Sequence, residues 1–366
     1  QEAIFHEKQT IIENCLFGVD INPNSVKICR LRLWIELLKH AYYTPAHTPL
    51  PPEGGTPLAG QSERGRDTLE LQTLPNIDIN IKAGNSLISR FSLDASLASA
   101  LKRSSWKIGD YRKFVQDYKN AEGKDEKHGL QAMIDQIKKD FRTEITRDDP
   151  KQKRLNKLVS ELHDKYTGNK LFEDQLTKKQ KQDRAKLEKK INDLQAKIDD
   201  MKNNEIYRNA FEWRFEFPEV LDDEGNFTGF DVVIGNPPYI KIQDLQKQDS
   251  NIKRFYQEYF KTTQSGNFDI YIPFVEKGFQ LLNNNGTLDY IIPHKFFNAN
   301  YGQLLRKYLT DNKALNRIIH FGYQQIFEEA TIYSCLLQLT KTRTNKIKII
   351  NINDLKTFEK QLKNSS

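Results

Sequence analysis

The period of the apolar residues changes several times along the chain, and each change marks an element. Cys15-Leu16-Phe17-Gly18-Val19-Asp20 is a short apolar run ending in an acid, which predicts a strand. Asn22-Pro23 then opens a helix to about Lys39: Asn is a good N-cap, Pro suits the first helical position, and Val26, Leu31, Leu33, Trp34, Leu37 and Leu38 give broad apolar coverage. Alternation over residues 77–82 predicts a further strand, followed by Ala83-Gly84-Asn85-Ser86-Leu87. Phe230 to Ile234 is a β-branched run of the kind that forms a buried parallel strand. Beyond it, Asn267-Phe268-Asp269-Ile270-Tyr271 leads a helix through Phe274, Gly278, Leu281 and Leu282. A turn and strand follow over 286–293, then a helix around 304–309 and a strand at 317–321. Strands alternating with helices predict an α/β fold with a mainly parallel sheet.

Between the strand near residue 80 and the one near 230 the pattern is interrupted. Residues 95–209 are lysine-rich and helical in character, and Leu187, Ile191, Leu194, Ile198 and Met201 recur at alternating four- and three-residue steps, the seam of a short coiled coil. Met133, Ile134, Ile137 and Phe141 form a second apolar series suited to a partner helix, so the insertion is expected to be a helical hairpin or small bundle. Two readings stand for its lysines, a solvated face or contacts to DNA phosphates. Residues 43–67, with Pro45, Pro49, Pro51, Pro52, Gly54, Gly55 and Pro57, read as an exposed loop, either a passive insertion or a lid. The expected segments are a first core part (1–94), the helical insertion (95–209), a catalytic part (210–344) and a connection (345–366).

Composition narrows the class. At 366 residues, with 37% hydrophobic and 29% charged residues, the chain holds more than one domain's worth of sequence and carries a polar insertion. No apolar run approaches the roughly 20 residues of a membrane helix. Cys15, Cys29 and Cys335 are too few and too scattered for a zinc site or a disulfide framework, which points to a reducing cytoplasm. None follows a proline, which argues against chemistry by thiolate attack on a cytosine ring. A net charge of +7 suits a polyanionic partner.

The strongest chemical signal is Gly235-Asn236-Pro237-Pro238-Tyr239 directly after the apolar strand. The carboxyl end of such a strand is where open α/β sheets bind ligands. Two prolines hold the chain extended, so the Asn236 amide oxygen and the Pro237 carbonyl can both face one NH2 group. Tyr239 offers a face on which a base can stack. An exocyclic amine is a poor nucleophile because its lone pair is delocalised into the ring, and two acceptors on its hydrogens favour the pyramidal nitrogen of the transition state. The remaining alternative is a rigid turn without chemistry.

Asn-Pro-Pro-Tyr after a strand resembles the catalytic loop of amino-methyltransferases that use S-adenosylmethionine, chiefly the N6-adenine DNA methyltransferases. The phrase from Phe17-Gly18-Val19-Asp20-Ile21-Asn22-Pro23 through Leu31-Arg32-Leu33-Trp34 is similar to the matching motif of large single-chain restriction-modification and phage-defence enzymes, the type IIG kind. The resemblance implies a Rossmann-like S-adenosylmethionine-dependent sheet in which Asp20, with Ile21, binds the ribose and Asn85 the adenine of the cofactor. For Asn85 a helix N-cap is the competing role. The resemblance further implies catalysis by Asn236, Pro237, Pro238 and Tyr239, and an aromatic packed on the flipped adenine of double-stranded DNA. Phe327 matches that aromatic best and Tyr333 is the reserve, with ordinary core packing as the other reading of each.

The family's glycine-rich cofactor loop has no counterpart in these residues, so the sequence predicts a sheet lacking its first strand, with the missing strand and loop upstream of residue 1. No Asp followed by Glu-x-Lys on paired strands marks a nuclease, and Asp125-Glu126-Lys127 lies in the helical insertion. Nuclease and target-recognition domains would lie outside these residues. Two other functions stay open: methylation of a glutamine side-chain amide in a protein, which uses the same loop, and a non-catalytic DNA-binding or assembly role. N4-cytosine methylation is a variant of the main reading, in which Ser more often stands where this chain has Asn236.

Overall fold

A computed structural model describes residues 2–45, 69–71, 75–94, 98–166, 177–203, 205–247, 249–327, 332–342, 346–352 and 354–355. They divide into two compact units, one of Gln1–Ser86, Leu97–Asn203 and Asn209–Pro218, the other of Leu87–Ser96, Asn204–Arg208 and Glu219–Ser366.

In the first unit, helix α1 (Glu2–Asn14) leads to strand β1 (Gly18–Asp20), shorter than the predicted run from Cys15, and then to helix α2 (Pro23–Leu38). The Asn22 side chain accepts the Asn24 N–H at 2.9 Å, the N-cap expected there. Phe5 and Ile12 of α1 pack with Leu37 and Ile77. Strands β2 (Tyr43–Pro45) and β3 (Leu69–Leu71) pair antiparallel, and the rest of the proline- and glycine-rich loop lies outside the described residues. The strand expected over 77–82 is corrected: Ile77–Ile79 is a 3-10 turn, and strand β4 is Ile81–Ala83. Both Ile77 and Ile79 are buried by the turn, and the buried Asn80 amide donates to the carbonyls of Ile12 and Glu13 at the end of α1 (3.3 and 2.6 Å). Strand β4 runs parallel to β1, with Asp20 opposite Ala83.

The insertion is helical: α3 (Ala98–Arg103), α4 (Ile108–Asn120), α5 (Lys124–Asp148), α6 (Pro150–Tyr166) and α7 (Lys178–Asn203), before the short α8 (Trp213–Glu216). Helix α7, which carries the heptad-like series, packs on α6, while α5 packs on α3 and α4. The partner-helix expectation for Met133, Ile134, Ile137 and Phe141 is therefore corrected. Ile134, Ile137 and Phe141 are fully buried, and Phe141 meets Tyr111 of α4 edge-on. Of the α7 series Ile198 is buried and Leu187, Ile191 and Leu194 are half-buried, whereas the Met201 side chain lies outside the described residues.

The second unit contains a five-stranded sheet of β5 (Phe230–Gly235), β6 (Leu282–Pro293), β7 (Leu315–His320), β8 (Ser334–Thr340) and β9 (Lys348–Asn351), in the order β5-β6-β8-β7-β9. Strands β5 and β6 are parallel, β8 is antiparallel to both its neighbours, and β9 is parallel to β7. Helices α9 (Ile242–Gln246), α10 (Ile252–Tyr259), α11 (Tyr271–Gln280) and α12 (Gln303–Asp311) complete the unit. The core forms where α11 and α12 cover the sheet, around Ile272, Val275, Leu288, Ile292, Leu305 and Leu337. Gly278 is required there, because a Cβ would come within 2.5 Å of both Leu288 and Tyr290. Strand β9 arises from residues read as a connection, and its Ile350 is buried beside Ile319.

Strand β5 is parallel as predicted but not buried. Val232 is 60% and Ile234 77% exposed, because they stand on the face of β5 opposite Val233, and Val233 is the one that packs against the core.

Candidate functional site

Two groups of predicted residues lie at strand ends, one in each unit. In the first, Asp20 ends β1 and Asn85 follows β4 by two positions, so the parallel pairing sets them at the same end of adjacent strands. Asp20 is exposed, and its Oδ1 accepts the Asn22 N–H at 2.7 Å, a local turn that fixes the carboxylate at the strand end. Its Oδ2 has no partner among the described residues. Ile21 next to it is 62% exposed. Asn85 is half-buried and bridges to Ala210: its N–H donates to the Asn209 carbonyl at 2.6 Å and its carbonyl accepts from Phe211. It caps no helix. Gly84 permits the close approach of Phe211, whose ring lies 2.8 Å from where a Cβ would stand. A carboxylate with an open oxygen, an exposed aliphatic face and an amide at neighbouring strand ends fit the diol, the flat face and the edge of a nucleoside.

In the second unit, β5 ends at Gly235 opposite Tyr290 and the chain turns into Asn236-Pro237-Pro238-Tyr239. Asn236 and Pro238 are exposed and Pro237 is buried, which anchors the loop while leaving the amide accessible. Tyr239 is half-buried, and its hydroxyl donates to the Ile291 carbonyl of β6 at 3.1 Å. Burial raises its pKa above the usual phenol value, so the ring is neutral. Beyond the loop, Ile242 N–H donates to Phe268 O (3.0 Å) and Ile270 N–H to Ile240 O (2.8 Å), tying the chain just after Tyr239 to the Asn267–Tyr271 run. Asp269 lies at this tie. Burial raises its pKa, opposed by a hydrogen bond from Tyr301 and by Lys241 and Lys295. Tyr301 in turn meets the Tyr271 hydroxyl at 3.3 Å. Sequence reasoning named Asp269 only as part of a helix lead-in, since its proximity to the loop arises from the pairing of residues 240–242 with 268–270.

Tyr333 is 39% exposed, and its carbonyl accepts the His294 N–H at 3.1 Å, so it lies at the same end of the sheet as the Asn236–Tyr239 loop. Its ring belongs to a row with Tyr323, His294, His320 and Phe297. Phe327 is half-buried, and its carbonyl accepts from the Gln325 amide. Neither histidine was singled out in the sequence, where His294 and His320 stand alone in apolar contexts.

Each unit of this α/β protein sets polar groups at the carboxyl end of a parallel strand, Asp20 and Asn85 in one and the Asn236–Tyr239 loop in the other. The chain belongs to the Eco57I restriction-modification methylase family, whose model matches residues 14–327. It is 35% identical over 129 residues to the type II restriction enzyme and methyltransferase RM.Eco57I of Escherichia coli, covering 35% of this chain and 13% of that protein. To the type II methyltransferase M.AccI of Acinetobacter calcoaceticus it is 30% identical over 181 residues, 47% of this chain and 32% of that one. The type IIG restriction endonuclease BpuSI is a structural neighbour with a TM-score of 0.30 and 19% identity, covering 42% of this chain and 21% of that one. The chain thus spans under a third of the length of the two curated relatives described.

Proposed function

We propose that this chain is the core of a site-specific DNA methyltransferase of a restriction-modification enzyme, transferring a methyl group to N6 of an adenine flipped out of the duplex. The observation that carries the reading is the accessible Asn236 amide, held on a Pro237-anchored loop at the end of a parallel strand in a chain of this family. Asp20, Ile21 and Asn85 would hold S-adenosylmethionine, which when bound supplies an electrophilic methyl. Asn236 Oδ1 and the Pro237 carbonyl accept the two amine hydrogens, so the nitrogen lone pair is drawn out of the ring and aimed at its target. Pro238 keeps the loop rigid. Tyr239 and either Phe327 or Tyr333 stack the base and keep water from it. The functional segments are taken as 1–94 and 210–344 for the core, 95–209 for the insertion and 345–366 for a connection. The three cysteines are free thiols, consistent with work in the cytoplasm.

The test is methyl incorporation into DNA from labelled cofactor, with mass analysis of the nucleosides. N6-methyladenine supports the reading, whereas methylglutamine in a co-incubated protein or methylcytosine overturns it. Asn236→Ala is expected to lower turnover about 100- to 1000-fold, the cost of losing one preorganised transition-state contact, with cofactor binding unchanged by calorimetry. Asp20→Ala is expected to do the reverse, abolishing the calorimetric signal.

A further inference from the structure

The positive charge of the chain is concentrated in one place. Helices α6 and α7 together carry 14 Lys and Arg against 7 Asp and Glu, a net charge of +7 that equals the net charge of all 366 residues. The two helices pack on each other, and α6 packs on α5. Lys190 of α7 acts on Glu161 of α6, and Asp183 of α7 on Lys165 of α6, so the pair runs antiparallel. Leu155 of α6 is buried, and Leu158 and Leu162 of α6 are half-buried like Leu187, Ile191 and Leu194 of α7.

On α7, Lys178, Lys181 and Lys189 fall opposite the seam of Leu187, Ile191 and Leu194, and Lys179 and Lys190 share one flank. All five lysines are exposed, and none makes an ion pair among the described residues. Elsewhere on the chain exposed bases are offset by an acid one turn away: Lys39 by Glu36, Lys247 by Asp244, Arg254 by Glu258 and Lys307 by Asp311. The lysines of α7 are also placed against the stability of their own helix. Its first turn holds no acid, and Lys178, Lys179 and Lys181 add positive charge where the helix dipole is already positive. Lys178 with Lys181, and Lys186 with Lys189 and Lys190, set like charges three and four residues apart. Such repulsion is relieved when a row of negative charges lies alongside.

We infer that α6 and α7 form a sequence-independent grip on the backbone of double-stranded DNA, with Lys178, Lys179, Lys181, Lys189 and Lys190 paired to phosphates. Helix α7 has 26 residues and is about 39 Å long, the length of about 11 base pairs, so several of its lysines reach phosphates of one duplex at once. The inference rests on the reading of this chain as a DNA-modifying core, which makes DNA rather than another polyanion the partner. Phosphate contacts carry no base information, so the insertion adds affinity and leaves the choice of target to other residues.

The experiment measures binding of the full chain to an end-labelled duplex of about 30 base pairs by anisotropy at a series of salt concentrations. The wild type is compared with a variant combining Lys178→Gln, Lys179→Gln, Lys181→Gln, Lys189→Gln and Lys190→Gln, and with one carrying Arg at the same five positions. Gln is as good a helix former as Lys, so circular dichroism should match the wild type. The Gln variant is expected to lose about 0.9 from the slope of log K against log salt for each lysine that held a phosphate, and to bind about tenfold more weakly or worse at low salt. The Arg variant should keep the wild-type slope and affinity. Lys189→Gln with Lys190→Gln alone should remove up to about 1.8 of the slope, which keeps the test decisive if the fivefold variant misfolds. A folded Gln variant with wild-type slope and affinity would overturn this inference and leave the proposed function standing. Preference for an RNA duplex over DNA in competition would overturn it too, and no DNA binding at any salt would overturn both.

Discussion

Glu216 in the first unit and Leu288 in the second are both withdrawn from water, but by opposite means. Glu216 is a carboxylate 16% exposed, held by Lys138 at 2.7 Å, Lys82 at 3.1 Å and Arg142 at 3.3 Å. Burial alone would raise its pKa, yet Lys82 and Lys138 outweigh that and hold it at about 2. Leu288 is fully buried in the middle of β6 among aliphatic and aromatic neighbours. Buried charge also recurs in the first unit at Lys119, whose ammonium donates to the Glu13 carbonyl at 2.8 Å. The first unit thus adds ion pairs between helices and short strands to its apolar packing, whereas the sheet of the second closes on a continuous apolar core. A fold can be closed either way, but the two respond to different insults: removal of one charge partner in the first, removal of volume in the second.

Four substitutions sharpen that contrast. Glu216→Ala should have the largest effect, about 3–5 kcal/mol in denaturant unfolding, because Lys82, Lys138 and Arg142 would all lose the buried carboxylate they share. The same carboxylate makes the first unit acid-sensitive. Its folded pKa lies below the unfolded value of 4.5, so its contribution is present above that pH and is lost as pH falls toward about 2. Hydrogen exchange should show α5 losing protection over that range before β6 does. Leu288→Ala should cost about 2–5 kcal/mol with no such pH dependence. Gly278→Ala should cost about 1–3 kcal/mol by overpacking against Leu288 and Tyr290. Ile234→Ala should change stability by no more than about 0.5 kcal/mol, since this side chain is already in solvent. A large effect there would break the contrast by making β5 a core strand.

Local chemistry was legible before any fold was known. The Asn22 cap, the Pro23 start of α2 and the Asn236 to Tyr239 loop each follow from neighbours within a few residues. The strand expected at residues 77–82 failed because Ile77, Ile79 and Ile81 repeat every second position, which a strand and a tight turn with a following strand both satisfy. The choice was made by Asn80, whose amide is needed at the end of α1. The partner of α7 was likewise misread, since the apolar series on α5 is satisfied by α3 and α4.

By itself the sequence determined the family, because the strand and the Asn236-Pro237-Pro238-Tyr239 run after it are contiguous residues that need no distant partner to be recognised. It also determined that strands would alternate with helices around that loop. Only the tertiary structure decided that Val232 and Ile234 stand exposed, that Asp269 bridges Lys241, and that His294 meets His320. Burial and ring stacking depend on which segments become neighbours across tens of residues, and an apolar or imidazole side chain carries no local mark of the partner it will find.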